Sequence, residues 1–189
     1  MAPEARNLCA VLHFPSAGRH TVEVMGTGAL GPQMLSLFFV DVENVSGDVD
    51  AAKTVEPMSV ADARKAIADQ INALRRSMRV ELVSSDAALD VIADAWARRL
   101  ADERFFSHES PDGSTLPLRL KRANYAFSSA AENLGLASGP MAAHFGINHS
   151  PGHRKNLIDP TFTRIGIGVA KHDNERFIVV EVLARPGTK

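Results

Sequence analysis

Four short clusters between Arg104 and Gly168 restrict this chain more than any other feature. They read Phe105-Phe106-Ser107-His108, Ala131-Glu132-Asn133-Leu134, Ser150-Pro151-Gly152-His153-Arg154 and Arg164-Ile165-Gly166-Ile167-Gly168. Two histidines and one carboxylate thus lie in three separate segments, each beside an apolar or turn-forming anchor. Such a pattern is expected where a fold brings distant side chains to one point. The rest of the chain then builds the scaffold for that point or is attached to it.

The scaffold begins with a helix. Ser59 followed by Asp62 resembles a capping box with Asp in place of Glu. Val60, Ala63, Ile67, Ile71, Leu74 and Met78 then recur at three- and four-residue steps, one stripe of an amphipathic helix. Arg64, Lys65, Arg75 and Arg76 lie largely off that stripe and read as a solvated face. After a connection over Val80 to Val83, Ser85 is expected to cap a second helix that buries Leu89, Ile92, Trp96 and Leu100. Its predicted end near Phe105 leaves His108 just past the C-terminus. Further on, Leu134 to Ala137 reads as a short strand and Pro140 to Asn148 as a short helix. Arg164 to Lys171 and Arg176 to Leu183 read as a hairpin. In that hairpin Gly166 and Gly168 face the same way, which allows a helix or the cluster to approach closely.

The N-terminal part is different in kind. Asn7 to Phe14 is an apolar run, Arg19 to Met25 alternates, and Met34 to Val42 is apolar on both faces. Three strands without a helix make a meander or part of a β-sandwich, marginal alone. Gly26-x-Gly28-x-x-Gly31 has the spacing of a dinucleotide loop, but Pro32 and a strand stand where the helix N-terminus is required, so it reads as a turn. His13 and His20 read as strand residues rather than ligands. The predicted division is a β-rich segment over 1–47, cut from a larger domain or packed on the next one. A polar linker follows over 48–58, then one α+β domain over 59–185.

Totals set outer bounds. The chain has 189 residues, enough for a domain and an appendage, and its net charge of −1 gives no sign of a nucleic-acid surface. No apolar run approaches the roughly 20 residues of a membrane-spanning helix. Cys9 is the only cysteine, which excludes an internal disulfide, and it reads as a small buried hydrophobe. The first residues lack a basic segment followed by an apolar core, so they are not an export signal.

The ordered set of motifs resembles the CAP superfamily, which groups cysteine-rich secretory proteins, antigen 5 and pathogenesis-related 1 proteins. It is most similar to the cysteine-free bacterial branch of SCP-like extracellular domains. The resemblance covers about residues 60 to 184 and implies an α-β-α sandwich with an antiparallel sheet. It also implies an extracellular or envelope location, so the chain is expected to be an excised piece or to start downstream of its signal.

In many family members two histidines and two acids line a central cleft, and some bind a divalent metal there. Carried over by motif, His108 and Glu132 take the first histidine and first acid, and His153 the second histidine. The Pro-Gly before His153 is expected to form a sharp turn that points the imidazole inward. Where relatives show Trp-x-x-Glu, or Trp-x-x-Ser in bacteria, this chain has Ile147-Asn148-His149-Ser150, so the second acid is missing. Glu181 and Ser150 are the weaker candidates for that place. Imidazoles and a carboxylate suit zinc, with a fourth position open to water. A hydrolase would also need a general base and an oxyanion donor, and no residue is assigned to either; Ser107 and Ser150 lack the surroundings of a nucleophile elbow. Three readings therefore stand. One is a secreted or envelope module whose cleft binds a metal and a small ligand, lipid or protein partner. The second is a metal-dependent, peptidase-like hydrolase, and the third a purely structural His-Glu network. Asn133 is expected to satisfy backbone groups, Arg119 and Arg154 to pair with nearby acids or remain solvated, and His144 and His149 to be incidental.

Overall fold

The computed structural model describes residues 10–28, 31–42, 58–173 and 176–187. Cys9 and all of the linker read at 48–58 except Met58 lie outside the described residues, as do Asn7 and Leu8 of the first predicted strand.

The N-terminal part is a two-stranded antiparallel ribbon, β1 (Gly18–Gly28) and β2 (Gly31–Val42), with Val22 opposite Phe38. Its strands match the second and third predicted ones. Residues 10–17 form no strand, so the expected three-stranded meander is not present among the described residues. Strand pairing on both sides of the glycine-rich segment leaves no helix N-terminus for a phosphate.

The remainder follows the order α1 (Val60–Ser77), β3 (Ser84–Ser85), α2 (Ala87–Asp102), α3 (Leu116–Arg122), β4 (Phe127–Ala137), α4 (Pro140–His149), α5 (Pro151–Leu157), β5 (Arg164–Lys171) and β6 (Phe177–Pro186). The sheet order is β3-β5-β6-β4, so β4 is an edge strand. It is mixed rather than wholly antiparallel, because Ser84 and Ser85 pair parallel with Arg164 and Ile165. One face carries α2 and α3, where Leu89, Trp96, Leu100 and Leu120 pack on Leu134, Val180 and Val182. The other carries α1, α4 and α5, where Ile67, Ile71, Ile147 and Leu157 pack on Ile165, Val179 and Leu183. This is the expected α-β-α sandwich.

Local chemistry explains the helix ends. Ser59 Oγ accepts from the Asp62 amide at 3.1 Å and donates to its carboxylate at 2.6 Å, the capping box read from the sequence. Helix α2 is capped by Asp86, not by Ser85: its Oδ1 accepts from the amides of Ala88 and Leu89 at 2.9 and 3.3 Å. Ser85 is spent on the strand pair instead. Helix α2 ends at Asp102, short of Phe105, and Arg104 takes a left-handed φ of 54° just beyond.

Helix α2 lies directly on β5. A Cβ built on Gly166 would fall on the backbone of Leu89 and Asp90, and one on Gly168 on that of Ala93 and Asp94. The helix also completes the sheet edge. Where β3 stops, Asp90 Oδ1 accepts from the Ile167 amide at 2.7 Å and Asp94 Oδ1 from the Val169 amide at 3.2 Å. Arg64 of α1 donates to the Ile167 carbonyl at 2.8 Å and pairs with Asp94. Two aspartates one helical turn apart thus satisfy amides two residues apart on an otherwise open strand.

Arg75 overturns the reading of a solvated face. It is fully buried, and its guanidinium donates to the carbonyls of Leu157, Asp159 and Phe162 at 2.7 to 3.1 Å and to that of Glu81. Burial pulls its pKa below the ordinary value, which Asp159 and Glu81 oppose. The side chain ties the end of α1 to the segment after α5. Met78 and Val60, expected on the buried stripe, are exposed at the helix ends.

The glycine contact yields a sharp test. Gly166→Ala is expected to cost about 3 kcal/mol or more, since the new methyl meets helix backbone that cannot step aside. Gly146→Ala, in α4 with open space around its Cβ position, is expected to be neutral or stabilising by up to about 1 kcal/mol. Urea midpoints compare the two; similar midpoints would contradict the close packing of α2 on β5.

Candidate functional site

Strand β4 positions the site. Its even-numbered residues Ala130, Leu134 and Leu136 face α2, whereas Ala131 and Ala137 face the opposite layer. Adjacent Glu132 and Asn133 therefore serve opposite faces of the sheet. Because β4 is at the edge, groups from both layers come together around it.

On the α2 side, Glu132 is buried, and its two oxygens are both taken. His108 Nδ1 lies 3.0 Å from Oε1, and Arg119 Nη2 pairs with Oε2. Arg119 comes from α3, with its Cζ 3.7 Å from the Trp96 ring centroid, and Trp96 stacks edge-on with Phe105 at 5.6 Å. Its Nη1 also donates to the carbonyls of His108 and Ser114 at 3.2 and 3.1 Å. Burial lowers the Arg119 pKa while Glu132 holds it up. The His108 side chain itself is 55% exposed.

On the other side, Ser150 and His153 form a unit. The Ser-Pro-Gly-His motif is not a free turn: Ser150 is the N-cap and Pro151 the first residue of α5. His153 sits in that helix's first turn, its Nδ1 2.7 Å from Ser150 Oγ. Ser150 is 1% exposed, which holds it behind the imidazole and out of reach as a nucleophile. Asn133 donates to the His153 carbonyl at 3.3 Å, as expected of a residue satisfying backbone groups, and also to Glu181 Oε2 at 3.3 Å. Its own carbonyl accepts from Asn156 at 2.9 Å. Arg154 bonds the carbonyl and side chain of Asn148, not an acid.

Glu181, opposite Asn133 in the β4–β6 register, is fully buried, and its Oε1 is 2.6 Å from His144 Nδ1. His144 is thus not incidental. It shares the buried side of α4 with Ala143 and Ile147, and the Nε2 of its ring is buried without a hydrogen-bond partner. The helical stripe Ala143-His144-Ile147 was the available signal for it. His149, expected to be incidental along with it, bonds the Phe145 carbonyl through its ring at 2.8 Å.

The two halves hang from neighbouring residues of β4, His108 on Glu132 and the His153 carbonyl on Asn133. Burial pushes the His153 imidazole below its ordinary 6.5, followed by the charge of His108; Lys155 acts in the same direction, while Glu23 and Glu181 oppose them. His108 and His153 therefore stand at one edge of the sheet, each with one ring nitrogen fixed and the other without a partner among the described residues.

The donor set fits a metal poorly as it stands. Both oxygens of Glu132 are committed, one of them to a cation, and Glu181 is paired within the core with His144. Among the described residues no group of three or more His, Cys, Asp or Glu side chains is arranged to hold an ion.

A sandwich of this topology with these histidine and Glu-Asn motifs defines a CAP-type domain. The chain belongs to the Cysteine-rich secretory protein family, CAP, whose family model matches residues 68–183. It is 31% identical over 119 residues to the uncharacterized protein YkwD of Bacillus subtilis, covering 61% of this chain and 45% of that protein. It is 28% identical over 136 residues to the uncharacterized membrane protein YlbC of the same species, covering 66% and 39%. The chain thus spans less than half the length of these curated relatives. Among solved structures, an extracellular SCP-domain protein from Bacillus anthracis superposes with TM-score 0.58 at 25% identity, covering 79% of this chain and 46% of that one. An outer surface protein from Borrelia burgdorferi gives TM-score 0.63 at 21% identity, covering 69% and 97%, which shows the shared fold. No helix among the described residues is long and apolar enough to cross a membrane.

The His153 environment has a pH consequence. Its pKa is lower folded than unfolded, so the unfolded chain binds more protons between the two values, and stability rises with pH there. The contribution is complete above about 6.5 and is lost as pH falls from there toward the folded pKa. Replacing His153 with Gln is expected to flatten the melting temperature between pH 5 and 7 relative to the parent. An unchanged pH slope would contradict a partly buried imidazole whose protonation is disfavoured by the fold.

Proposed function

We propose that this chain is the CAP module of an exported or envelope-associated bacterial protein and that it works as a binding module. The β4 edge, with His108 and His153, is the face that meets a polar ligand or a partner surface. One observation carries this reading: each imidazole is held at Nδ1, by Glu132 or by Ser150, and keeps Nε2 without a partner among the described residues. Imidazoles held in orientation this way offer directed hydrogen bonds through their other nitrogen. The export assignment is supported by relatives whose names call them extracellular or outer surface proteins.

Hydrolysis has less support. Ser150 is buried, Glu132 is neutralised by Arg119, and the site offers no identified donor for an oxyanion.

The test is to compare the parent with a His108→Ala/His153→Ala variant for turnover of labelled casein and a nitrophenyl ester, with and without added zinc. Equal background rates are expected for both proteins, and no rise in the parent's melting temperature with equimolar zinc. Zinc-dependent turnover that disappears in the variant would overturn the binding-module reading in favour of a hydrolase.

A further inference from the structure

The two edges of the four-stranded sheet differ. Where β3 stops, Asp90 and Asp94 accept from the amides of Ile167 and Val169, so that edge is closed. The β4 edge has no such closure. The Ala184 carbonyl of β6 accepts from the Thr163 amide at 3.1 Å, so the main-chain groups of Ala184 face β5. Ala130 stands opposite Ala184 in the β4–β6 register. Its own amide and carbonyl therefore point away from β6, and by alternation so do those of Glu132, Leu134 and Leu136. None of these outward groups has a hydrogen-bond partner among the described residues.

Glu132 and Leu134 are buried, and Ala130 and Leu136 are half-buried. Unpaired main-chain groups in such surroundings are costly, and one strand laid along β4 would satisfy all of them. From Ser129 to Ala137 the strand has no proline or lysine to obstruct pairing, and its one acid, Glu132, is neutralised by Arg119. The helices on the two faces beside this edge set the charge of a partner. Helix α3 reads Leu-Pro-Leu-Arg-Leu-Lys-Arg and α5 Pro-Gly-His-Arg-Lys-Asn-Leu, basic without a single acid. Arg119 is spent on Glu132 and Arg154 on Asn148, whereas Lys121 and Lys155 are exposed. A second copy paired along the same edge would set these cations against their own kind, so charge complementarity favours an acidic strand.

We propose that β4 is a docking edge that takes an extended, acidic segment of a partner protein as a fifth strand, paired through the outward main-chain groups of Ala130, Glu132, Leu134 and Leu136. This deepens the binding-module reading and rests on it for the edge being a place of binding rather than of turnover. Main-chain pairing supplies the affinity, and the lysines of the two flanking helices select acidic side chains.

The test is amide hydrogen exchange of the full chain, followed by NMR, with the capped hexapeptide Glu-Val-Glu-Val-Glu-Val. Its controls are Lys-Val-Lys-Val-Lys-Val and the acidic peptide N-methylated at every residue, which keeps the charges and has no amide donors. The acidic peptide is expected to slow exchange at Ala130, Glu132, Leu134 and Leu136, while Ala131, Asn133 and Gly135, already paired with β6, change little. Ala130→Pro removes one outward donor without touching the β6 ladder, and is expected to weaken binding about fivefold, the net worth of one hydrogen bond. No protection by the acidic peptide would overturn the docking edge, and equal protection by its N-methylated form would overturn main-chain pairing. Equal protection by the lysine peptide would overturn the acidic class. Protection that grows with protein concentration in the absence of peptide would overturn the partner in favour of a second copy. The casein and ester rates read the binding-module reading separately: zinc-dependent turnover with the pairing intact would overturn that reading alone.

Discussion

Helix α2 rests on bare backbone. Gly166 and Gly168 leave no side chain between it and β5, and Asp90 and Asp94 close the hydrogen bonds that β3 is too short to reach. This contact sets the height of the helical layer above the sheet. Trp96 and Arg119 then meet at a distance that lets the guanidinium stack on the indole and reach Glu132. A larger residue in β5 would lift the helix, and with it the indole on which Arg119 stacks.

The site is assembled around an edge strand rather than inside a single layer. Glu132 and Asn133 are neighbours in sequence and point to opposite faces of β4. One collects His108, Arg119 and Trp96; the other collects His153, Asn156, Glu181 and, through Glu181, His144. An edge position is what lets both sets be felt at one place. In a central strand the same two residues would be separated by the sheet. The Glu-Asn pair is therefore a hinge of information between layers, and its two side chains have different tasks: holding an exposed imidazole, and tying the base of α5 to the buried acid.

What was legible in the sequence follows from how local each signal is. The two main helices, the β5–β6 hairpin and the helix-facing glycines depend on periodicity and turn chemistry, and they stand where these placed them. His108 and Glu132 do meet, as their motifs implied, and His153 stands at the same edge. Arg75 was misread because an arginine off an apolar stripe looks solvated; its burial depends on carbonyls over 80 residues away, at Leu157, Asp159 and Phe162. Arg119 and His144 depend likewise on partners from other segments. Ser-Pro-Gly-His was read as a turn because Pro-Gly favours one, yet proline is also suited to the first position of a helix. The helix start is what puts Ser150 under the imidazole.

The central claim is that His108 and His153, held by opposite layers, share one site. The most direct measurement is the His153 pKa in the parent and in His108→Ala, followed by NMR. The charge of His108 disfavours protonation of His153, so removing that ring is expected to raise the His153 pKa. A pKa that does not move would mean that the two imidazoles do not sense each other and that the β4 edge does not join them.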